Sequence, residues 1–479
     1  MANGWGPADT ICAIATPVGE GGIGIVRLSG MDSLPLAARF IRLRSGVPLG
    51  SLSTHTLHRA DIVRSQPSSR SIRTYPDDDV VIDEAFVVFM KAPRSYTGED
   101  VVEIHCHGNR RICAMICEAA LSAGCRLAQP GEFTRRAFLN GKMDLSQAEA
   151  VLDTIKATSE AGLKVAQRHL RGDLGKEVGA LRERLLTLLA HIEAGIDFVE
   201  EDISFVERAA LLDALAQTQS FIARALHTAK TGRLLREGAR VVIAGQPNVG
   251  KSSLLNALLR EQRAIVSAIP GTTRDMIEES MEVDGIRLSL IDTAGIRNTV
   301  DPIEQEGIHR TWNALQDADV IIALFDASSL PEDAVEMVVY ASLQERAIPV
   351  LNKVDLLIPE QRMSLQKRLC DLCGHPALCI STITGEGLDL LRQRLRSRIV
   401  PDRLEASDGV MITNVRHQAA LARAHEALTQ AIDAISSGRE LECLAVDLRT
   451  AADALGEITG VITSDEVLDR IFSEFCIGK

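Results

Sequence analysis

No apolar run in these 479 residues reaches the ~18 positions that a membrane-crossing helix needs. The opening residues, MANGWGPADT, lack the basic and then apolar segments of a secretory leader, so a cytoplasmic location is expected. Excess positive charge is missing too. A net charge of −13 argues against broad binding of nucleic acid by phosphate neutralisation. Arg110-Arg111 and Arg135-Arg136 are local basic pairs, and each reads first as solvated arginines on an exposed face. The ten cysteines are too scattered for a disulfide framework. Cys106, Cys113 and Cys117 form one concentration, and Cys370, Cys373 and Cys379 another. In a strand, His105-Cys106-His107 would alternate faces. Cys370-x-x-Cys373 with His375 lacks a second knuckle. Both groups read as buried reduced thiols.

Proline is absent from 131 to 246, and over 145–236 Leu, Ala and Ile recur at three- and four-residue steps, as at Leu181, Leu185, Leu188, Leu189 and Ile192. Helical spacing returns from about 414 onward, and Thr463 with Glu466 suggests a capping box before Val467. The first 140 residues differ. Segments 80–90 and 101–106 are strand-like, and 109–122 has helical spacing with Ile112, Met115, Ile116 and Ala119 on one face. Glycines 19, 21, 22 and 24 mark a tight turn; no helix follows directly, which excludes a dinucleotide fingerprint. Between the helical blocks, from 239 to about 399, strands alternate with helices. Length predicts about three domains. The expected fold is multidomain, α/β with all-α: an N-terminal α+β domain (1–140), a discontinuous helical domain (141–236 and 397–479), and an α/β domain (237–396) inserted between its parts.

The inserted segment carries the chemistry. The apolar run 240–244 leads into Gly245-Gln246-Pro247-Asn248-Val249-Gly250-Lys251-Ser252-Ser253, and a helical stretch follows. Strand, glycine loop and helix together make a phosphate-binding loop whose backbone N–H groups turn inward beside a helix N-terminus. Lys251 would reach the β- and γ-phosphates and Ser252 would ligate Mg²⁺. A second apolar strand ends in Asp292-Thr293-Ala294-Gly295, where the carboxylate serves Mg²⁺ through water and Gly295 offers an N–H to the γ-phosphate. Between them, Pro270-Gly271-Thr272-Thr273 is placed as a switch loop with Thr273 on Mg²⁺. Asn352-Lys353-Val354-Asp355 selects the base. Asp355 can accept from guanine N1–H and its amine, which adenine cannot match, while Lys353 covers the base and Asn352 ties strand to loop. Ser381-Thr382-Ile383 follows at the next strand end, where a backbone N–H meets the guanine carbonyl. These contact sets make residues 237–396 an expected P-loop, Ras-like GTPase domain. Ile296 stands where a water-orienting glutamine is usual, so another group must do that work; the Asn248 amide oxygen could hold a monovalent cation.

With its flanks, the chain resembles the bacterial and organellar tRNA modification GTPase family called MnmE or TrmE. The likeness runs through Asp9-Thr10-Ile11, the glycine segment ending at Gly30, Tyr96-Thr97-Gly98-Glu99-Asp100, Pro130-Gly131-Glu132-Phe133-Thr134-Arg135-Arg136, and Phe475-Cys476-Ile477-Gly478-Lys479. The resemblance implies an N-terminal domain that dimerises and binds 5-formyltetrahydrofolate or methylene-tetrahydrofolate, with Arg27, Glu103, Lys142 and Lys479 in contact and Cys476 nearby. It implies potassium on Asn248, Ser267, Ile269 and Thr272, in the loop that also holds Ala268. Glu304 would position the attacking water, and Arg274 and Asp275 would help G domains pair. The implied activity is GTP hydrolysis coupled to carboxymethylaminomethyl or aminomethyl modification of carbon 5 of the wobble uridine of certain tRNAs. The homodimer would act in a heterotetramer with an FAD-dependent partner called MnmG or GidA, which would carry most of the tRNA contact. The rival reading is a potassium-activated regulatory GTPase of the ribosome-assembly type, without modification chemistry.

Overall fold

The computed structural model describes residues 9–17, 19–65, 79–197, 208–260, 278–283, 286–292, 315–328, 346–399, 410–437 and 441–479. Contacts divide the chain into two units: 1–152 with 169–180 and 455–479, and 153–168 with 181–454.

The first unit is built on a seven-stranded sheet. Its strands are β1 (Ile11–Ile14), β2 (Gly21–Ser29), β3 (Ile41–Leu43), β4 (Leu57–Ser65), β5 (Asp79–Met90), β6 (Val101–Gly108) and β7 (Arg126–Leu127), in spatial order β3-β4-β5-β6-β2-β1-β7. From Val102 onward alternation makes β6 a half-buried strand: Val102, Ile104 and Cys106 face the core while Glu103 and His105 face away. The helix Arg110–Ala123 covers the core face and is capped by Asn109, whose side chain accepts from the N–H groups of Arg111 and Ile112. Its buried residues are Cys113, Ile116, Cys117, Ala119, Ala120 and Ala123; Ile116 and Ala119 of the expected stripe are among them, while Ile112 and Met115 lie at the margin. The small thiols let helix and sheet approach closely. Burial pushes the Cys106 thiol up to about 12. His107 pairs with Asp83 on the other face. Glycines 21, 22 and 24 belong to β2, at a register irregularity against β6, rather than to the turn itself.

Two expectations are corrected in this unit. The helix Asp465–Ser473 starts from Ser464, which makes no side-chain cap; Thr463 lies one residue outside the N-cap, so Thr463 and Glu466 are out of register for a capping box. Arg135 and Arg136 are buried, not solvated. Arg135 donates to Asp469 at 2.5 Å, and Arg136 pairs with Asp9, Glu99 and the fully buried Glu132, which also takes Arg126 at 2.7 Å. The arginines hold the helix Glu132–Leu139 in place. Phe472 and Phe475 pack with Leu145, Ala148 and Leu152, seating residues 465–475 in this unit.

The second unit contains a six-stranded sheet: β8 (Ala239–Ala244), β9 (Glu278–Val283), β10 (Ile286–Asp292), β11 (Val320–Asp326), β12 (Ala347–Asn352) and β13 (Leu378–Cys379), ordered β13-β12-β11-β8-β10-β9. All neighbours run parallel except the edge pair β9 and β10. Every residue of β11 and β12 is buried, which is why these strands read as unbroken apolar runs rather than alternating ones. Helices from both sides of this segment in sequence, Arg208–Glu237 and Val415–Ser437, pack together, with Gln219 donating to Thr429 at 2.8 Å. Among the described residues no helix is long and apolar enough to cross a membrane.

Candidate functional site

Parallel strands deliver their carboxyl ends to one edge, and the loops there are the natural ligand site of an open α/β sheet. The register aligns Asp292 with Ile243, Ala244 with Ala323, and Asn352 with Asp326, so the segments singled out in the sequence share that edge. After β8 the chain turns through residues 245–250 into the helix Lys251–Arg260. Gly250 has φ +99°, and a Cβ on it would collide with the Asn352 amide; only glycine fits this close approach. Asn248 also has a left-handed φ of +67°, which asparagine tolerates better than most residues. The Lys251 side chain is buried, and its ammonium donates to the carbonyls of Gly245 and Gln246 at 2.7 and 2.8 Å. That places a positive charge inside a loop at a helix N-terminus, a setting suited to phosphate.

Asn352 is completely buried and joins three loops. Its amide donates to Val249 O at 2.8 Å, and its Oδ1 accepts from the Thr382 N–H at 3.3 Å. Lys353, at φ +65°, donates to Asn248 O at 2.8 Å and pairs with Asp326 at 2.6 Å. Val354 opens a short 3₁₀ turn and donates to Ile380 O; Asp355 in that turn is exposed, so its carboxylate is available to a base. Ser381 is buried, its hydroxyl accepting from the Thr384 N–H, whereas Ile383 is 83% exposed. Ser252 and Ser253 lie in the first turn of the helix. Ser267, Ala268, Ile269, Pro270, Gly271, Thr272, Thr273, Arg274, Asp275, Thr293, Ala294, Gly295, Ile296 and Glu304 lie outside the described residues; of Asp292 the backbone alone is described.

Sequence reasoning missed Asp326. It ends the apolar run of β11 just as Asp292 ends that of β10, and that shared pattern was the available signal. Burial would raise its pKa; hydrogen bonds from Lys353 and Ser328 outweigh this and hold the carboxyl below its usual range.

A second cluster lies on the first unit's sheet. Arg27 and Glu103 are cross-strand partners, with Nε donating to Oε1 at 2.7 Å. The guanidinium lies 5.6 Å from the ring centres of both Tyr96 and Phe133. It also donates to Gly478 O, while His105 lies 3.3 Å from the other Glu103 oxygen. Lys479 is half-buried here; desolvation, with Arg27 adding to it and Glu103 opposing, lowers its pKa. Ile477 bridges to Pro130, and a Cβ on Gly478 would strike the Ile14 carbonyl, so residues 476–479 are seated rather than frayed. Cys476 is exposed. Lys142 is exposed and donates to Pro93 O at 2.8 Å; a Cβ at Gly98, two residues from Tyr96, would lie 3.3 Å from its stem. Tyr96 and Phe133 stood in the sequence only within the family-like segments, and His105 only in the His105-Cys106-His107 run; none was assigned to this cluster.

Two family models match the chain, "GTP-binding protein TrmE N-terminus" over residues 10–142 and "MnmE helical domain" over 145–476. A tRNA modification GTPase MnmE from Heliobacterium modesticaldum is 45% identical over 98% of this chain and 99% of its own. Its namesake from Symbiobacterium thermophilum is 46% identical over the same shares. A solved structure of the G domain of the T. maritima FeoB iron transporter is 28% identical, covering 34% of this chain and 99% of that one, with a TM-score of 0.26. With one family model spanning more than half the chain and full-length relatives at this identity, the chain belongs to the MnmE family of tRNA modification GTPases.

Proposed function

We propose that this chain is a potassium-dependent GTP hydrolase that acts, with a flavoprotein partner, in carboxymethylaminomethyl or aminomethyl modification of carbon 5 of the tRNA wobble uridine, using a folate one-carbon unit. The observation that carries the nucleotide reading is the joining of Lys251, Asn352, Lys353 and exposed Asp355 at one sheet edge. GTP fits this edge: Gly250 leaves room that a Cβ would fill, and the buried ammonium matches phosphate charge. Lys251 would hold the β- and γ-phosphates, Ser252 and Thr273 would hold Mg²⁺, and Asp355 would read guanine. Mg²⁺ would neutralise phosphate charge. Asn248, already in a left-handed turn of the loop, would hold potassium with Ser267, Ile269 and Thr272. Glu304 would orient water.

For folate, the donor set is chemically apt. Lys142, Lys479 and Arg27 offer cations to a glutamate tail, and Glu103 offers a carboxylate to the pterin. The homodimer and the flavoprotein partner belong to the same reading, as does a cytoplasmic location. Two measurements test it. Turnover in matched potassium and sodium chloride should be faster in potassium; equal rates remove Asn248 from cation binding. Nucleoside analysis of tRNA from cells lacking the protein should show loss of the wobble-uridine modification; an unchanged profile would leave a GTPase without modification chemistry.

A further inference from the structure

Beside the Asn352 bond to Val249 O, Lys353 also reaches from the guanine-reading segment to the phosphate loop, donating to Asn248 O. Its backbone occupies the left-handed region, which disfavours a lysine and persists where surroundings enforce it. The surroundings that enforce it are on the next strand. Asp326 is the cross-strand partner of Asn352, is almost entirely buried, and takes the Lys353 ammonium on Oδ2 at 2.6 Å. Its other oxygen accepts from the Ser328 N–H at 2.8 Å and the Ser328 hydroxyl at 2.6 Å. Both oxygens are thus committed, one to a turn and one to the lysine.

We infer that Asp326 is a positioning residue for guanine nucleotide, holding Lys353 against the phosphate loop so that the base-reading and phosphate-binding loops keep one spacing. The inference rests on the guanine-nucleotide reading above. Asp326 touches no nucleotide in this account; it acts through Lys353. Without its charge, the lysine stem loses its anchor, and the 2.8 Å bond to Asn248 O must be made by a mobile side chain that loses rotamer freedom each time. The bland alternative is that Asp326 serves only the turn at Ser328. The two differ in one substitution, because an amide oxygen can still accept from Ser328 while the amide nitrogen cannot pair with an ammonium.

The test is Asp326→Asn in the full chain, with fluorescent GTP and GDP titrations, single-turnover hydrolysis at saturating GTP, and thermal unfolding without nucleotide. A charge-assisted bond to a partly exposed lysine sets the expected loss of affinity at about tenfold for both nucleotides. Saturated hydrolysis should stay within about twofold, as for a group acting on binding, and unfolding should shift only modestly, as for one partly exposed ion pair. On a Lys353→Met background, Asp326→Asn should add nothing further. Wild-type affinity in Asp326→Asn, or equal losses with and without Lys353, would overturn the proposal. Asp355→Asn on xanthosine triphosphate separates the failures: no gain there sinks the guanine reading itself, whereas a gain beside a silent Asp326→Asn sinks only the anchor.

Discussion

Asn352→Ala tests whether the sheet edge works as one nucleotide site. The wild-type side chain is fully buried and makes one strong bond, to Val249 O at 2.8 Å, and one weaker bond, from Thr382 N–H at 3.3 Å. Alanine removes both and leaves a carbonyl and an N–H facing a small gap. Losing the stronger bond and stranding its acceptor costs roughly 1.5–2 kcal/mol, and the weaker bond adds about 0.5–1. The sum, about 2–3 kcal/mol, falls on the arrangement of the phosphate and base-reading loops, because those are the groups the amide joins. GTP affinity should fall by about 30- to 150-fold. Equilibrium titration with fluorescent GTP measures it, and melting curves with and without GTP show whether the loss lies in binding or in the fold. A variant within threefold of wild-type affinity would refute the idea that the buried amide couples the two loops.

The gathering of these segments at one sheet edge was legible because each component is local: a glycine loop between strand and helix, then acids and amides at strand ends. Asp326 escaped because its meaning is nonlocal. It matters as the neighbour of Asn352 in a parallel register that no period reveals. Arg135 and Arg136 escaped for a related reason, since charge along a chain suggests solvent until partners distant in sequence, such as Asp9 and Asp469, are brought beside it. The helix Arg110–Ala123 was legible in extent, and Ile116, Ala119, Cys113 and Cys117 are buried as expected; Ile112 and Met115 lie at the margin because the small residues Ala120 and Ala123 share the buried face instead. The start of the helix Asp465–Ser473 was misjudged by one residue because Thr463 and Ser464 both suit an N-cap, and local composition does not choose between them.

Asp355→Asn should weaken GTP and favour xanthosine triphosphate, since an amide donates where the carboxylate accepted; unchanged GTP affinity in competition binding would remove Asp355 as base reader. Glu132→Ala should destabilise the first unit by about 2–3 kcal/mol in chemical denaturation, because it removes the fully buried carboxylate shared by partly exposed Arg126 and buried Arg136, which keep only Asp9 and Glu99. Burial raises the Glu132 pKa, but donors from Arg126, the Gln129 N–H and Arg136 lower it more, so the folded value is depressed. Its stabilisation is therefore present above the unfolded carboxylate pKa and lost as pH falls through the folded one, and Glu132→Gln should flatten that acid limb; an equally steep limb would assign it to other carboxylates. Deleting residues 476–479 concerns the second cluster. Arg27 donates to Gly478 O, the Ile477–Pro130 bridge anchors the segment, and Lys479 stands beside Arg27 and Glu103, so removal strips a carbonyl and an ammonium from one small area. Lys251, Asn352, Lys353 and Asp355 belong to the other unit and depend on none of those contacts. Folate binding and tRNA modification should then be lost while GTP binding and potassium-stimulated hydrolysis persist. A truncated chain that binds folate and modifies tRNA normally would confine the folate contacts to Arg27, Glu103 and Lys142 and leave the seated tail with a packing role alone.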